Sequence, residues 1–217
     1  MATADSPGAQ SAELAQRGYA VLHGAFPPGL CDELTADASR YVITPPNRRA
    51  GGAFAMTSLT RAGAPARAAA WITDLTARVG LTEPFAPNEA SYQRYEPNGN
   101  GLPPHRDQRY YATCIAIVTL TGSARFAIHA GPGSDDIIDQ WTTSARDVIL
   151  LRGWTPASNA DPRPYHRIDP PGASPRLMFQ VRHNLAASGR PDWATGLTDA
   201  EANQARNLAR TPEAPRT

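Results

Sequence analysis

His105 and Asp107 stand two positions apart in Pro103-Pro104-His105-Arg106-Asp107, and a third donor, His166, follows in Pro164-Tyr165-His166-Arg167. On an extended strand residues i and i+2 leave the same face, so this spacing predicts an imidazole and a carboxylate pointing one way. Two imidazoles and one carboxylate that leave coordination positions open form the facial triad of non-haem Fe(II) chemistry. His-x-Asp alone occurs by chance in many chains. The downstream order gives it weight: a hydrophobic stretch, then His166, then Arg176 ten positions on.

Arg176 opens the stretch Arg176-Leu177-Met178-Phe179-Gln180-Val181-Arg182. Strand alternation sends Leu177, Phe179 and Val181 to one face and Arg176, Met178, Gln180 and Arg182 to the other. Two guanidinium groups on one face of a buried strand are costly without anionic partners. A dicarboxylate ligand would supply them, since a planar guanidinium pairs bidentately with a carboxylate. The bland alternative is an edge strand with a solvated arginine face. The order of the residues suggests Fe(II) at the three donors, 2-oxoglutarate gripped by Arg176, and O2 as oxidant.

The elements that must position these groups follow from periodicity. At 217 residues the chain fits one domain with a real core. Residues 1–10 are expected to form a disordered lead, 11–184 the single domain, and 185–217 a C-terminal extension of helix (about 197–210) and loose tail. A short strand at 18–24 precedes a helix opened by Pro27-Pro28 and running to about Tyr41, with Leu30, Leu34 and Ala38 on one stripe. Residues 44–63, rich in Pro, Gly and Arg, lack periodicity and read as a long, lid-like loop. A second helix is predicted over about 65–79, with Ala68, Trp71, Ile72 and Leu75 on its apolar face and Gly80 ending it.

From Asn88 on, short strands alternate with turns: 91–96, 111–120, 125–130, a brief pairing at 141–143, 147–151, 165–169 and 176–183, with a polar loop at 152–164. The fold class expected is mainly β with N-terminal helices, around a double-stranded β-helix (jelly-roll, cupin-like) core that encloses a ligand-sized interior.

Composition excludes several classes. The formal charge of +1 gives no electrostatic footprint for nucleic acid or a membrane surface. All 21 basic residues are arginine, which removes any Schiff-base lysine. Cys31 and Cys114 are far apart, without a CxxC partner, and fit reduced thiols in a cytoplasmic protein. Cys114 lies within the apolar run 111–118, where core packing is its default role. The N-terminus lacks the basic and apolar regions of a signal peptide, and no run reaches the ~20 apolar residues that span a bilayer. No nucleophile elbow, P-loop or dinucleotide fingerprint is present.

Arg-x5-Arg behind His-x-Asp…His resembles the signature of the AlkB family of Fe(II)/2-oxoglutarate dioxygenases. The likeness extends to Gln93-Arg94-Tyr95-Glu96-Pro97, similar to the family's Asn-x-Tyr-x-Pro, and to Asp147-Val148-Ile149-Leu150-Leu151-Arg152-Gly153. Ile43-Thr44-Pro45 and 53–57 extend it into the N-terminal loop, so that it covers roughly residues 18–184. It implies iron ligation by His105, Asp107 and His166. It places the distal carboxylate of 2-oxoglutarate on Tyr95 and Arg176, with Arg182 near the chelating end and Gln93 in the place of the family's Asn. It also implies hydroxylation or oxidative demethylation rather than halogenation, because halogenating relatives replace the carboxylate ligand that Asp107 supplies here.

Two departures bear on the substrate. Arg109 stands in Gln108-Arg109-Tyr110-Tyr111 where base-reading family members carry a carboxylate. Phe54 is the single aromatic candidate for stacking a base in the 44–63 loop. Arg109 with Arg106, and with Arg48 and Arg49, favours a small polar or acidic substrate, with Tyr110 and Phe54 as further contacts; surface solvation is the plain alternative for these arginines. A demethylase acting on alkylated nucleic-acid bases stays open, as does a non-catalytic jelly-roll that binds metal. His129 and His23 are expected to be structural, and Asp135, Asp136 and Asp139 a solvated loop.

Overall fold

A computed structural model describes residues 14–41, 52–59, 62–81, 83–97, 99–133, 135–155 and 161–186. The expected lead at 1–10 and the C-terminal helix and tail beyond 186 lie outside the described residues, as do Arg48 and Arg49.

Among the described residues ten strands form two antiparallel sheets. In chain order they are β1 (Tyr19–Leu22), β2 (Ala53–Thr57), β3 (Glu89–Tyr95), β4 (Leu102–His105), β5 (Tyr111–Thr121), β6 (Arg125–His129), β7 (Ile137–Thr142), β8 (Val148–Arg152), β9 (Tyr165–Ile168) and β10 (Arg176–Asn184). Two helices, α1 (Pro28–Ala38) and α2 (Ala64–Arg78), pack with them, and residues 14–17 are helical as well. The major sheet runs β1-β8-β5-β10-β3-β2 and the minor sheet β4-β9-β6-β7. This is the expected double-stranded β-helix with N-terminal helices.

The apolar run of β5 shows why the layers stack as they do. Cys114, Ala116, Val118 and Leu120 face a core shared with the helices, where Cys31, Leu34, Ala68, Ile72 and Leu75 meet Tyr92, Leu150, Phe179 and Val181. Ile115 and Ile117 face the other way, into a core between the sheets with Phe126, Ile128, Ile168 and Met178. A strand buried on both faces reads as continuous hydrophobic sequence, and each fully buried Leu, Ile or Phe contributes about 1.5–3 kcal/mol.

Pro28 starts α1 with its φ preset and no orphaned N–H at stake. The buried stripe of α1 is Cys31, Leu34 and Ala38, with Leu30 half-buried beside it. In α2 the expected face is present, although Trp71 is half-buried and packs edge-on against Phe26 at 5.0 Å. No described helix is long and apolar enough to cross a membrane.

Three expectations need correction here. The 44–63 stretch is not loop throughout: β2 pairs with β3 from Ala53↔Arg94 to Thr57↔Ala90. The tertiary edge of β3 supplies hydrogen bonds that this Ala-rich segment does not advertise. The pairing expected at 141–143 is a six-residue strand, β7, bound along β6. Asp139 lies on β7 rather than in a solvated loop, pairing with Arg17 at 2.9 Å and accepting from the Tyr19 hydroxyl at 2.8 Å.

Candidate metal and co-substrate site

The two histidines are brought together by strand pairing. In the β4–β9 ladder His105 stands opposite His166, with Leu102 opposite Ile168. Gly101 makes this approach possible: its φ is +61°, and a Cβ there would lie 2.3 Å from the Ile168 carbonyl oxygen. The imidazole centroids are 4.3 Å apart.

Each ring commits one nitrogen to its own strand. His105 Nδ1 lies 2.9 Å from the Pro103 carbonyl, and His166 Nδ1 3.2 Å from the Pro164 carbonyl. A carbonyl can only accept, so Nδ1 carries the proton and Nε2 keeps a free lone pair in both rings. The Phe126 ring stacks parallel to His166 at 5.6 Å. Burial, and then the neighbouring His105, push the His166 pKa down to about 4 against the opposing pull of Asp107, leaving a neutral ring fit to ligate.

Asp107 does not sit on the strand. β4 ends at His105, and the carboxylate reaches the histidines from the loop beyond, its Oδ2 3.6 Å from His166 Nε2. The carboxylate still converges with His105, as the i, i+2 spacing expects, although Asp107 lies two residues past the paired end of β4. The donor atoms of His105, Asp107 and His166 all lie within 4.8 Å of one another. Two imidazoles and one carboxylate at that spacing fit a divalent metal such as Fe(II).

The triad opens into a cavity between the sheets that is also lined by Gln93, Tyr95, Arg176 and Arg182, with Ile117, Phe126 and Met178 as its apolar walls. The alternation expected of β10 holds, since Arg176, Met178, Gln180 and Arg182 all face this cavity. Register sets the neighbours: Arg176 is opposite Tyr95, Met178 opposite Gln93, and Arg182 opposite Glu89.

The two arginines differ in kind. Arg176 is 1 % exposed, and its Nε and Nη2 donate to the hydroxyls of Thr143 (3.1 Å) and Thr119 (2.8 Å). Among the described residues no carboxylate forms an ion pair with it. Burial pulls its pKa down to about 10, which still leaves a full positive charge at neutral pH. Beside it, Tyr95 donates to Gln93 Oε1 at 3.1 Å, and burial raises the phenol to about 12, keeping it a donor.

Arg182 carries its own anion. It pairs with buried Glu89, and its guanidinium lies 4.4 Å over the Tyr111 ring. Burial disfavours this cation, but Tyr111 and Glu89 more than offset it, so its pKa is raised. The expectation that both arginines need an anionic ligand therefore fails for Arg182, whose anion is Glu89. Glu89 also accepts from the Tyr111 hydroxyl at 3.2 Å and from the Asn184 amide.

The remaining candidates are scattered around the site. Arg106 is half-buried, its guanidinium 4.2 Å over the Tyr165 ring and 3.4 Å from Asp161. Arg109 is exposed on a turn, and Tyr110 is fully buried at 4.5 Å from Tyr111. Phe54, half-buried on β2, pairs across from Gln93 and so shares the cavity face of the major sheet. His129 is buried in β6, outside the triad. Sequence reasoning missed Glu89, Thr119, Thr143, Asp161 and Arg163. Glu89 could have been found by aligning Tyr95 against Arg176 and reading the antiparallel register outward; the others carry no such signal.

No family model and no curated protein sequence matches the chain. Solved structures do. A prolyl-4-hydroxylase from Pseudomonas putida superposes with a TM-score of 0.61 at 16 % identity, covering 82 % of this chain and 98 % of its own. A Trichoplax adhaerens prolyl hydroxylase, in complex with a hypoxia inducible factor peptide fragment, gives 0.62 at 12 %, covering 84 % and 91 %. HygX from Streptomyces hygroscopicus, with nickel and 2-oxoglutarate bound, gives 0.58 at 14 %, covering 80 % and 85 %. At these identities the likeness is one of fold.

Proposed function

We propose that the protein is an Fe(II)- and 2-oxoglutarate-dependent dioxygenase that oxidises a C–H bond of a small polar substrate, by hydroxylation or oxidative demethylation. The observation that carries this is the joint placement, in one cavity, of a two-histidine, one-carboxylate triad and a buried guanidinium that forms no ion pair with a carboxylate among the described residues. The fold is that of HygX, whose structure contains nickel and 2-oxoglutarate, and of two prolyl hydroxylases.

His105, Asp107 and His166 would hold the metal, with both histidines presenting Nε2. Arg176 and Tyr95 would bind the distal carboxylate of 2-oxoglutarate, the buried cation donating directly and Tyr95 turning its single O–H from Gln93 Oε1 to the carboxylate. Gln93 accepts that O–H until 2-oxoglutarate takes it. Arg182, neutralised by Glu89, would donate near the chelating end without adding net charge. Ile117, Phe126 and Met178 give the rest of the cavity apolar walls. When bound, iron supplies the activation of O2: 2-oxoglutarate is oxidised to succinate and CO2, with one oxygen atom retained in succinate and the other delivered to the substrate.

Support for an AlkB-like arrangement is that Gln93, Tyr95, Arg176 and Arg182, the residues its motif likeness selects, share the cavity with the triad. The substrate class rests on two residues outside the cavity lining: Arg109, exposed two positions past Asp107, and Phe54, the one aromatic on the cavity face of β2. A turnover screen tests the proposal. Succinate release should be stimulated by a member of a panel of acidic metabolites, nucleotides and methylated oligonucleotides. Stimulation confined to methylated oligonucleotides, with salt-dependent binding to them, would replace the small-molecule substrate with a nucleic-acid base. Metal binding without any succinate would leave a non-catalytic binding module.

A further inference from the structure

Asp107 lies past the last paired residue of β4, so the ladder that fixes His105 and His166 does not fix the carboxylate. Something else must hold it. The loop entering β9 reads Asp161-Pro162-Arg163-Pro164, and a residue that precedes proline is restricted to extended backbone. Asp161 and Arg163 both precede proline, so their side chains leave the chain on one side and can engage each other. They do: the Arg163 main-chain N–H and its Nε donate to Asp161 Oδ1 at 3.1 and 2.8 Å, and its Nη2 donates to Oδ2. That leaves Nη1, which donates to the main-chain carbonyl oxygen of Asp107.

We propose that Arg163 is a positioning residue for the metal site. Its guanidinium, aimed by Asp161, holds the main chain of Asp107 so that the carboxylate is turned toward His166 before any metal arrives. A second tie runs in parallel: Arg106, between two ligands in sequence, reaches Asp161 at 3.4 Å and stacks on Tyr165, the residue before His166. Asp161 is thus the hub joining the segment that carries His105 and Asp107 to the segment that carries His166. Arg163 is 8 % exposed, so its bonds are shielded from competing water. The fork matters as well as the charge, because one guanidinium must serve a carboxylate and a carbonyl at once.

The inference rests on the triad being a metal site, and one titration separates the two. Full-length protein is titrated with Co(II) alone, followed by its visible absorption, for wild type, Arg163→Gln, Arg163→Lys and Asp161→Asn, with thermal unfolding of each metal-free protein alongside. Wild type should saturate. Arg163→Gln should bind roughly 10–100-fold more weakly, as removal of an outer partner of a metal ligand does. Arg163→Lys should fall in between, since an ammonium keeps the charge but not the fork, and Asp161→Asn should also weaken binding. Variants that unfold at lower temperature yet bind Co(II) within twofold of wild type would overturn the positioning role. If Arg163→Gln does not fold, equal affinity in Arg163→Lys and Asp161→Asn overturns it just as well. Wild type that takes up no Co(II) would instead strike down the metal site itself.

Discussion

His105 and His166 face each other at one position of the β4–β9 ladder, and each ties its Nδ1 to the carbonyl of the proline two residues before it. The repeated Pro-x-His arrangement fixes both tautomers from the backbone. The site therefore needs no carboxylate to orient its histidines, and Asp107 is left to ligate.

Arg176 is a buried cation on neutral hydroxyls, which costs stability that a bound carboxylate would return. Arg176→Met should raise the KM for 2-oxoglutarate about 10–100-fold, matching the ~1.5–3 kcal/mol of a charge-assisted hydrogen bond. The same variant should unfold no lower than wild type in the absence of ligand. Steady-state kinetics and thermal melts check both halves; a lower Tm with an unchanged KM would assign Arg176 to the core instead.

Glu89 behaves oppositely. It neutralises Arg182 in a buried pair, and Glu89→Gln leaves that guanidinium charged without its anion. The expected loss is about 3–5 kcal/mol of unfolding free energy, measurable by denaturant titration. A loss under ~1 kcal/mol would mean that Tyr111 alone carries the cation.

Gly52 is packed against the Tyr95 ring: an added Cβ would lie 3.0 Å from Tyr95 Cε1 and 3.0 Å from the Arg94 carbonyl oxygen. Gly52→Val should therefore crowd the Tyr95 ring and shift its hydroxyl. The KM for 2-oxoglutarate should rise about tenfold, the equivalent of one weakened hydrogen bond, while metal affinity stays unchanged. Equal KM values would remove Tyr95 from the co-substrate site.

Asp161 provides a pH signature. Burial alone would raise its carboxyl pKa, but the hydrogen bonds and charge of Arg163, with Arg106 behind them, outweigh burial and lower it below the ordinary 3.8. A depressed carboxyl stabilises the fold fully above its unfolded pKa and loses that contribution as pH falls through the folded value. The stability gap between wild type and Asp161→Asn should be constant from neutral pH down to about pH 5, and narrow below about pH 4. A gap independent of pH across that range would show that the carboxylate charge is not what Arg163 uses.

Periodicity, and residue types with few alternative uses, made part of this molecule legible in its sequence. Alternation in Arg176–Arg182 put both arginines on the cavity face, and the β5 run announced a strand buried on both sides. The triad was visible as types and order, but the strand geometry expected for Asp107 was not, since a loop places it. Pairing across distant segments was the hidden part. β2 forms because β3 offers an edge, Glu89 matters because register sets it against Arg182, and Thr119 and Thr143 become partners of Arg176 through packing alone. None of these leaves a local pattern.

The central claim is that His105, Asp107 and His166 hold a metal to which 2-oxoglutarate adds under the grip of Arg176. Anaerobic Fe(II) protein should develop a visible charge-transfer band when 2-oxoglutarate is added. His166→Ala should show no band, its metal affinity falling by more than the ~100-fold upper range for an outer partner, and Arg176→Met should need more 2-oxoglutarate to reach the same band. Wild-type protein that binds neither Fe(II) nor 2-oxoglutarate, or a band of undiminished strength in His166→Ala, would contradict the account.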